Sequence, residues 1–285
     1  MKDRNGREIN YLRLSVTDRC NLRCVYCMPE SGVPLIDHAD ILSVEEVVRA
    51  VWIINDTVGL SKVRITGGEP LVRRGVLQII KGISSIGIEE LTLTTNGLLL
   101  RQMAKQLAET GISRVNISLD SLRDRRLKEI TRRDTSLRDI EKAIRSAFDA
   151  GLKPVRINCV LMRNINDDEI LEFLEWGSRM GVTIRFIEHM PSSLNQDIFV
   201  SRDEIIERVS LSGTVRRQKD DGSTAGIYTV GDCADIFGII APFSDPMCKY
   251  CNRIRLSARG MLVPCLASAE EVSIREPLRT GADDE

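Results

Sequence analysis

Six short segments of alternating polar and apolar residues recur along the first two-thirds of this chain, each parted from the next by helical periodicity. The segments are YLRLSVT (residues 11–17), KVRITG, LTLTTN, RVNISLD, PVRINCVL and VTIRFIE. Helical stretches lie between them. One opens at Ser43 as N-cap with Glu46 three residues on; others fall at roughly 73–85, 99–109, 136–149 and 167–180. Gly59, Gly87, Gly111, Gly151 and Gly181 stand just before successive strands, as cap and turn residues do. Alternation of this kind builds a parallel sheet. After Met190 the rhythm breaks. A short helix is expected over 201–209, then the turn-rich SGTVRRQKDDGSTAG, then strand-like GIYTV and DIFGIIAPF. A boundary near residue 191 therefore divides an expected barrel domain, 1–190, from a C-terminal domain, 191–285.

Strand parity predicts what faces inward. Leu12, Leu14 and Val16 share one face while Arg13, Ser15 and Thr17 share the other. Arg64 and Thr66 likewise oppose Val63 and Ile65; Asn116, Ser118 and Asp120 oppose Val115, Ile117 and Leu119. Arg156 and Asn158 oppose Val155, Ile157, Cys159 and Leu161, and Arg185 opposes Ile184 and Phe186. The apolar faces must pack on helices, which gathers the polar faces on the other side. An ordinary β/α barrel fills that side with Val, Ile and Leu. Arginines, hydroxyls and amides there are costly to bury unpaired, so a cavity for an anionic polar ligand is the economical solution. A single solvated face is the plainer alternative, but it is rare in parallel sheets. The expected fold class is α/β: a partial (β/α)6 TIM-type barrel, with a smaller C-terminal α+β domain closing its open side.

Forty basic residues against forty-one acidic ones leave a formal charge of −1. That balance speaks against a nucleic-acid polymer as partner, since such affinity rests on net positive charge. Aromatics at 4% offer few platforms for stacked bases. No apolar run nears the roughly 18 residues of a membrane span, and the opening MKDRNGREIN lacks the apolar core of a signal peptide. A cytoplasmic protein with no membrane partner is expected. In that compartment the eight cysteines stay reduced. Six of them form two groups: Cys20, Cys24 and Cys27, then Cys248, Cys251 and Cys265. Cys159, on an apolar strand face, reads as a buried small hydrophobe, and Cys233 as a free thiol.

The first group is CxxxCxxC directly after the first strand. Three thiolates at this spacing hold three irons of a [4Fe–4S] cluster and leave the fourth open. A zinc knuckle is the alternative, though no nearby histidine completes a tetrahedron. GGEP follows the second strand, TTNG the third and SLD the fourth, all at carboxyl ends of parallel strands, where α/β proteins place their sites. In this order and spacing the chain resembles the radical S-adenosylmethionine (radical SAM) superfamily. The resemblance implies that SAM chelates the open iron and is cleaved reductively to a 5′-deoxyadenosyl radical, chemistry that no side chain performs. Tyr26, Gly68, Ser118 and Met190 occupy positions that contact SAM in that family.

The second group, CxxCx₁₃C, again supplies three ligands without a nearby histidine. Together with GREINYLRLSVTDRCNLRCVYCMP, VRITGGEPLVRR, LTTNGLLL, VNISLDSL, RFIEHMP and CNRIRLSARGMLVPCL, it is similar to the GTP 3′,8-cyclases of molybdenum cofactor biosynthesis over residues 6–285. The resemblance implies a second open-sided [4Fe–4S] cluster at Cys248, Cys251 and Cys265 that binds the purine of GTP, hydrogen abstraction from C3′, and attack on C8. It implies GTP contacts at Arg13, Arg64, Thr95, Arg156, Arg185, Arg253 and Arg255, with Arg13, Arg253 and Arg255 taking part in catalysis. Arg156 stands where a lysine is usual. A reducing electron donor and a downstream cyclic pyranopterin monophosphate synthase are the implied partners; a homodimer is compatible with the sequence. His189 receives no role.

The ending LRTGADDE reads as a helix start, whereas the family continues to a Gly-Gly tail, so a trimmed C-terminal domain is expected. Two alternatives remain: a radical SAM enzyme that modifies a peptide, and a non-catalytic zinc protein.

Overall fold

A computed structural model of the chain describes residues 2–3, 6–190, 196–218, 225–231, 236–266 and 269–281. The six alternating segments form β1 (Tyr11–Ser15), β2 (Lys62–Thr66), β3 (Glu90–Thr95), β4 (Arg114–Ser118), β5 (Arg156–Leu161) and β6 (Thr183–Glu188), paired in sequence order and all parallel. The helices between them are α1 (Val44–Val58), α2 (Val76–Ser84), α3 (Leu100–Glu109), α4 (Asp124–Thr131), α5 (Leu137–Asp149) and α6 (Ile170–Met180). Ser43 closes a full capping box on α1: its hydroxyl accepts from the Glu46 N–H and the Glu46 carboxylate accepts from the Ser43 N–H. A 3-10 turn at Pro70–Val72 precedes the stretch at 73–85, and another at Asp167–Glu169 opens the one at 167–180.

Parity holds in the core. Leu12, Leu14, Val63, Ile65, Leu93, Val115, Ile117 and Ile157 are fully buried against Ile79, Ile83, Leu107 and Ile144 of the helices. Each such side chain contributes about 1.5–3 kcal/mol. Cys159 is buried in this apolar layer.

The last third of the chain adds α7 (Arg202–Ser210), β7 (Val215–Arg217), β8 (Gly226–Val230), β9 (Ile236–Ile240), β10 (Arg253–Leu256), β11 (Met261–Val263), β12 (Val272–Ser273) and α8 (Arg275–Thr280). These strands extend the same sheet at both edges. β9 pairs parallel with β6, and β10 pairs parallel with β1, so the parallel run counts eight strands, flanked by antiparallel β8–β7 and β11–β12. Residues 241–252 cross from one edge to the other, from the carboxyl end of β9 to the amino end of β10. The boundary near residue 191 thus separates stretches of chain, not two sheets.

Two readings need correction. α4 was not expected: DRRLKEIT has only Leu127, Ile130 and Thr131 buried, too thin an apolar stripe to stand out. LRTGADDE is no helix start. It holds the end of α8, whose C-cap Gly281 has the left-handed φ of 75° that halts a helix; residues 282–285 lie outside the described residues, as does Cys233.

Candidate active site

The loop after β1 carries Cys20, Cys24 and Cys27 and is folded by its own backbone. The N–H groups of Cys27 and Met28 donate to the Cys24 carbonyl, and Arg23 donates to the carbonyls of Cys20 and Leu22. α4 fastens the loop from outside. The Arg23 N–H donates to the Thr131 carbonyl and the Val25 N–H to that of Ile130, both at 2.9 Å. Arg132, left-handed at φ 51° past the helix end, donates to the carbonyls of Arg23 and Met28. The helix missing from the sequence reading is therefore the one that holds the cysteine loop.

The GGEP turn holds it from the other side. A Cβ on Gly68 would lie 2.4 Å from the Arg19 carbonyl oxygen and 2.8 Å from that of Asp18. The bare glycine backbone expected to face a ligand is also what lets the cysteine loop pass. The Gly68 N–H donates to Thr17 and the Glu69 N–H to Arg19, each at 2.8 Å. Glu69 is buried and bound to the end of β3, accepting from the Thr95 hydroxyl (2.7 Å), the Asn96 N–H (2.7 Å) and the Leu71 N–H (3.1 Å). Burial pushes its carboxyl pKa up against those bonds. Thr95 consequently sits on the helix-facing side of β3 with its hydroxyl engaged, and it does not join the arginines.

Tyr26 points its hydroxyl at Asp120 of the SLD turn, 2.8 Å away, and its ring meets His189 edge-on at 6.4 Å. Strand parity placed Asp120 on the polar face but not its bond to Tyr26, and His189 was legible only as part of RFIEHMP. Ser118 ends β4 on the polar face, and Met190, 45% exposed, follows β6. Tyr26, Gly68, Ser118 and Met190 thus all lie at carboxyl ends of strands. Burial pushes the Asp120 pKa up to about 6, although the Val160 N–H and the Tyr26 hydroxyl both donate to it. A raised acid pKa means that the native state keeps its proton longer than the unfolded chain. Its ionisation therefore opposes folding as pH climbs from the ordinary carboxylate range through about 6. Between about pH 5 and about pH 7, urea unfolding of the wild type should lose about 1 kcal/mol relative to Asp120→Asn. A gap independent of pH would contradict this.

The polar face carries the arginines in register. Arg255, Arg13 and Arg64 stand side by side on β10, β1 and β2, with Thr92 next. Arg253 lies one step below, beside Tyr11, and Arg156 and Arg185 continue the face on β5 and β6. Arg64 donates to the Tyr11 hydroxyl (2.5 Å) and to Thr94 (3.2 Å). Arg13 has a buried Nε with no partner within the chain. Burial first, then repulsion from Arg255, Arg64 and Arg253, brings its pKa down to about 10 against the pull of Tyr11. Asn116 Oδ1, Asn158 Oδ1 and His189 Nδ1 are buried without partners too. Buried polar atoms are satisfied in native proteins, so this face is built for a polar ligand, and the arginine row makes it an anionic one.

The second cysteine group lies at the opposite end of β1. Cys251 precedes Arg253, which pairs with Tyr11, and Cys265 follows Val263, which pairs with Arg255. Both cysteines lie within the field of Arg7 and Arg255. Arg253 Nε donates to Cys251 Sγ at 3.3 Å. Burial would raise the Cys251 thiol, but the bonds and charge of Arg253 outweigh it and the pKa falls. Burial pushes Cys24 up to about 12, with Asp120 and the neighbouring thiols adding to it. Thiolates there need a compensating cation. A [4Fe–4S] cluster takes one thiolate on each of three separate irons, which each triad can supply. The donor sets fit [4Fe–4S] clusters.

Comparison with known proteins follows the same layout. The radical SAM superfamily model matches residues 14–177, and the Molybdenum Cofactor Synthesis C model residues 182–285. A GTP 3′,8-cyclase of Thermodesulfovibrio yellowstonii is 44% identical over 292 residues, covering 100% of this chain and 90% of that protein. One from Pelotomaculum thermopropionicum is 46% identical over 293 residues, covering 99% and 89%. Streptococcus suis SuiB superposes with a TM-score of 0.67 at 14% identity, covering 97% of this chain and 66% of SuiB. Coproporphyrinogen III oxidase (HemN) of Escherichia coli gives 0.54 at 10%, covering 79% and 66%. At such identities the solved structures speak for the fold alone.

Proposed function

This chain belongs to the radical SAM superfamily and, within it, to the GTP 3′,8-cyclase family, and from that premise we infer that it converts GTP to 3′,8-cyclo-7,8-dihydro-GTP, an early step of molybdopterin biosynthesis. Cys20, Cys24 and Cys27 would hold one [4Fe–4S] cluster, and Cys248, Cys251 and Cys265 the other. When bound, the first cluster and SAM supply a 5′-deoxyadenosyl radical that removes hydrogen from C3′ of GTP.

The residues of this chain do the rest. Tyr26, Gly68, Ser118 and Met190 contact SAM at the carboxyl ends of the strands, with Asp120 fixing the Tyr26 ring. Arg255, Arg13 and Arg64 take the triphosphate, and Arg253, Arg156 and Arg185 complete the cationic wall. Arg13, Arg253 and Arg255 are the catalytic set, acting on the substrate's charge and position. The observation that carries this reading is the arginine row itself. Three cations abreast on neighbouring strands, roughly 4.8 Å apart, repel unless an anion of matching charge lies across them, and a triphosphate brings about four negative charges. The same row favours a nucleotide over a peptide substrate.

The stretches 1–190 and 191–285 act as barrel and auxiliary-cluster parts; the two family models also divide the chain in two, but between residues 177 and 182, ahead of β6. The reaction calls for a reducing electron donor, and its product for a cyclic pyranopterin monophosphate synthase. The proposed setting is the cytoplasm; no helix among the described residues is long and apolar enough to cross a membrane. Anaerobic incubation with GTP, SAM and reductant should yield 5′-deoxyadenosine and a cyclised nucleotide in equal amounts. Arg255→Ala should weaken GTP binding about 10–100-fold, as losing a charge-assisted contact of about 1.5–3 kcal/mol implies, while iron content stays that of the wild type. Unchanged GTP affinity would contradict the assignment.

A further inference from the structure

Glu188 ends β6, is 1% exposed and accepts four hydrogen bonds. Its Oε1 accepts from the Arg202 N–H at 2.9 Å and from the Ser244 hydroxyl, and its Oε2 accepts from the N–H groups of Phe243 (3.0 Å) and Ser244 (3.2 Å). Four donors on one buried carboxylate make a knot much stronger than neutral bonds would. Two of the residues it holds open the crossing segment 241–252. Asp245, next along, is paired to Arg202 at 2.8 Å and to Arg217 at 3.0 Å. At the far end Asn252 bonds the Asn10 side chain at 2.7 Å, and its carbonyl accepts from the Tyr11 N–H. Cys248 and Cys251 hang between these two moorings.

We propose that Glu188 is the positioning residue of the second cysteine group, tying the start of the crossing segment to the end of β6 and so setting where Cys248 and Cys251 stand relative to Cys265. The proposal rests on the reading that those cysteines hold a cluster. The carboxylate never touches iron. It acts through backbone N–H groups of Phe243 and Ser244, four or more residues before the first ligand. Outer partners of this sort typically change metal retention by about 10–100-fold.

The test is Glu188→Gln, which keeps the shape but turns an N–H₂ toward two donors. Iron release to a chelator and the EPR spectrum of each cluster are read on anaerobically reconstituted protein. A Cys20/Cys24/Cys27 triple serine variant and a Cys248/Cys251/Cys265 triple serine variant assign the two signals. The expected result is second-cluster iron lost about 10-fold faster or more, with first-cluster iron released at the wild-type rate. Wild-type release from both clusters, or equal acceleration of both in a folded protein, overturns the proposal. If the wild type itself holds only first-cluster iron, the ligand reading fails, and the proposal with it. Should Glu188→Gln not fold, Glu188→Asp keeps the charge but draws the carboxylate one methylene back from the Phe243 and Ser244 N–H groups. The same selective loss then supports the proposal, and its absence overturns it.

Discussion

Cys24→Ser should leave a folded protein with about four irons where the wild type has about eight, and should lower 5′-deoxyadenosine formation by more than about a thousandfold. The fold survives because the loop's bonds at this position come from the Cys24 carbonyl, which accepts from Cys27 and Met28. The chemistry does not. A serine hydroxyl is a far poorer ligand for iron than a thiolate, and a cluster holding by two thiolates is readily lost. Cys159→Ser is the informative contrast. That sulfur is buried in the core with Asn166 Nδ2 at 3.9 Å, so the change costs about 1–3 kcal/mol of stability without touching iron. Iron analysis with thermal unfolding separates the two. Equal iron in Cys24→Ser and wild type would refute the ligand assignment.

The second large effect is expected from a methyl group. Gly68→Ala places a carbon 2.4 Å from the Arg19 carbonyl oxygen and 2.7 Å from the carbon that bears it. The atoms in the way are backbone, so no side chain can swing aside. The loop must move as a unit, at about 1–3 kcal/mol or more, and Cys20 is the next residue. Bonds from the Gly68 and Glu69 N–H groups to Thr17 and Arg19 stretch with it. Displacement of about 1 Å at a reacting centre can cost a hundredfold, so activity should fall by about that factor even where iron is retained. Wild-type turnover in this variant would show that the loop tolerates the shift.

Much of this molecule can be read from residue order. Period-two alternation placed Arg13, Arg64, Arg156 and Arg185 on one face before any pairing was known, because strand parity is a local rule. The Ser43–Glu46 capping box is equally local. Pairings between distant residues are not. That Arg255 stands level with Arg13 follows from β10 docking beside β1, and no window of sequence contains both. The partners of Glu188 and Asp120 escaped for the same reason: a carboxylate in a motif looks alike whether it faces a ligand, a tyrosine, or three N–H groups and a hydroxyl. Thr95 shows the converse. Its motif pointed to the substrate, but parity on β3 turns it toward Leu93's side, where Glu69 takes its hydroxyl.

The pairing of β1 with β10 also bears on how the chain is made. Among the described residues β1 is the first of twelve strands to leave the ribosome, and the neighbour on its open flank is the tenth. During synthesis one edge of β1, with its row of N–H and C=O groups, stays uncovered until Arg253–Leu256 have been translated. Exposed edges of this kind invite pairing with other chains. Contacts between such distant residues also form slowly. The nascent polypeptide should therefore be most prone to aggregate when ribosomes stall between β9 and β10, and chaperone demand should drop sharply once β10 emerges.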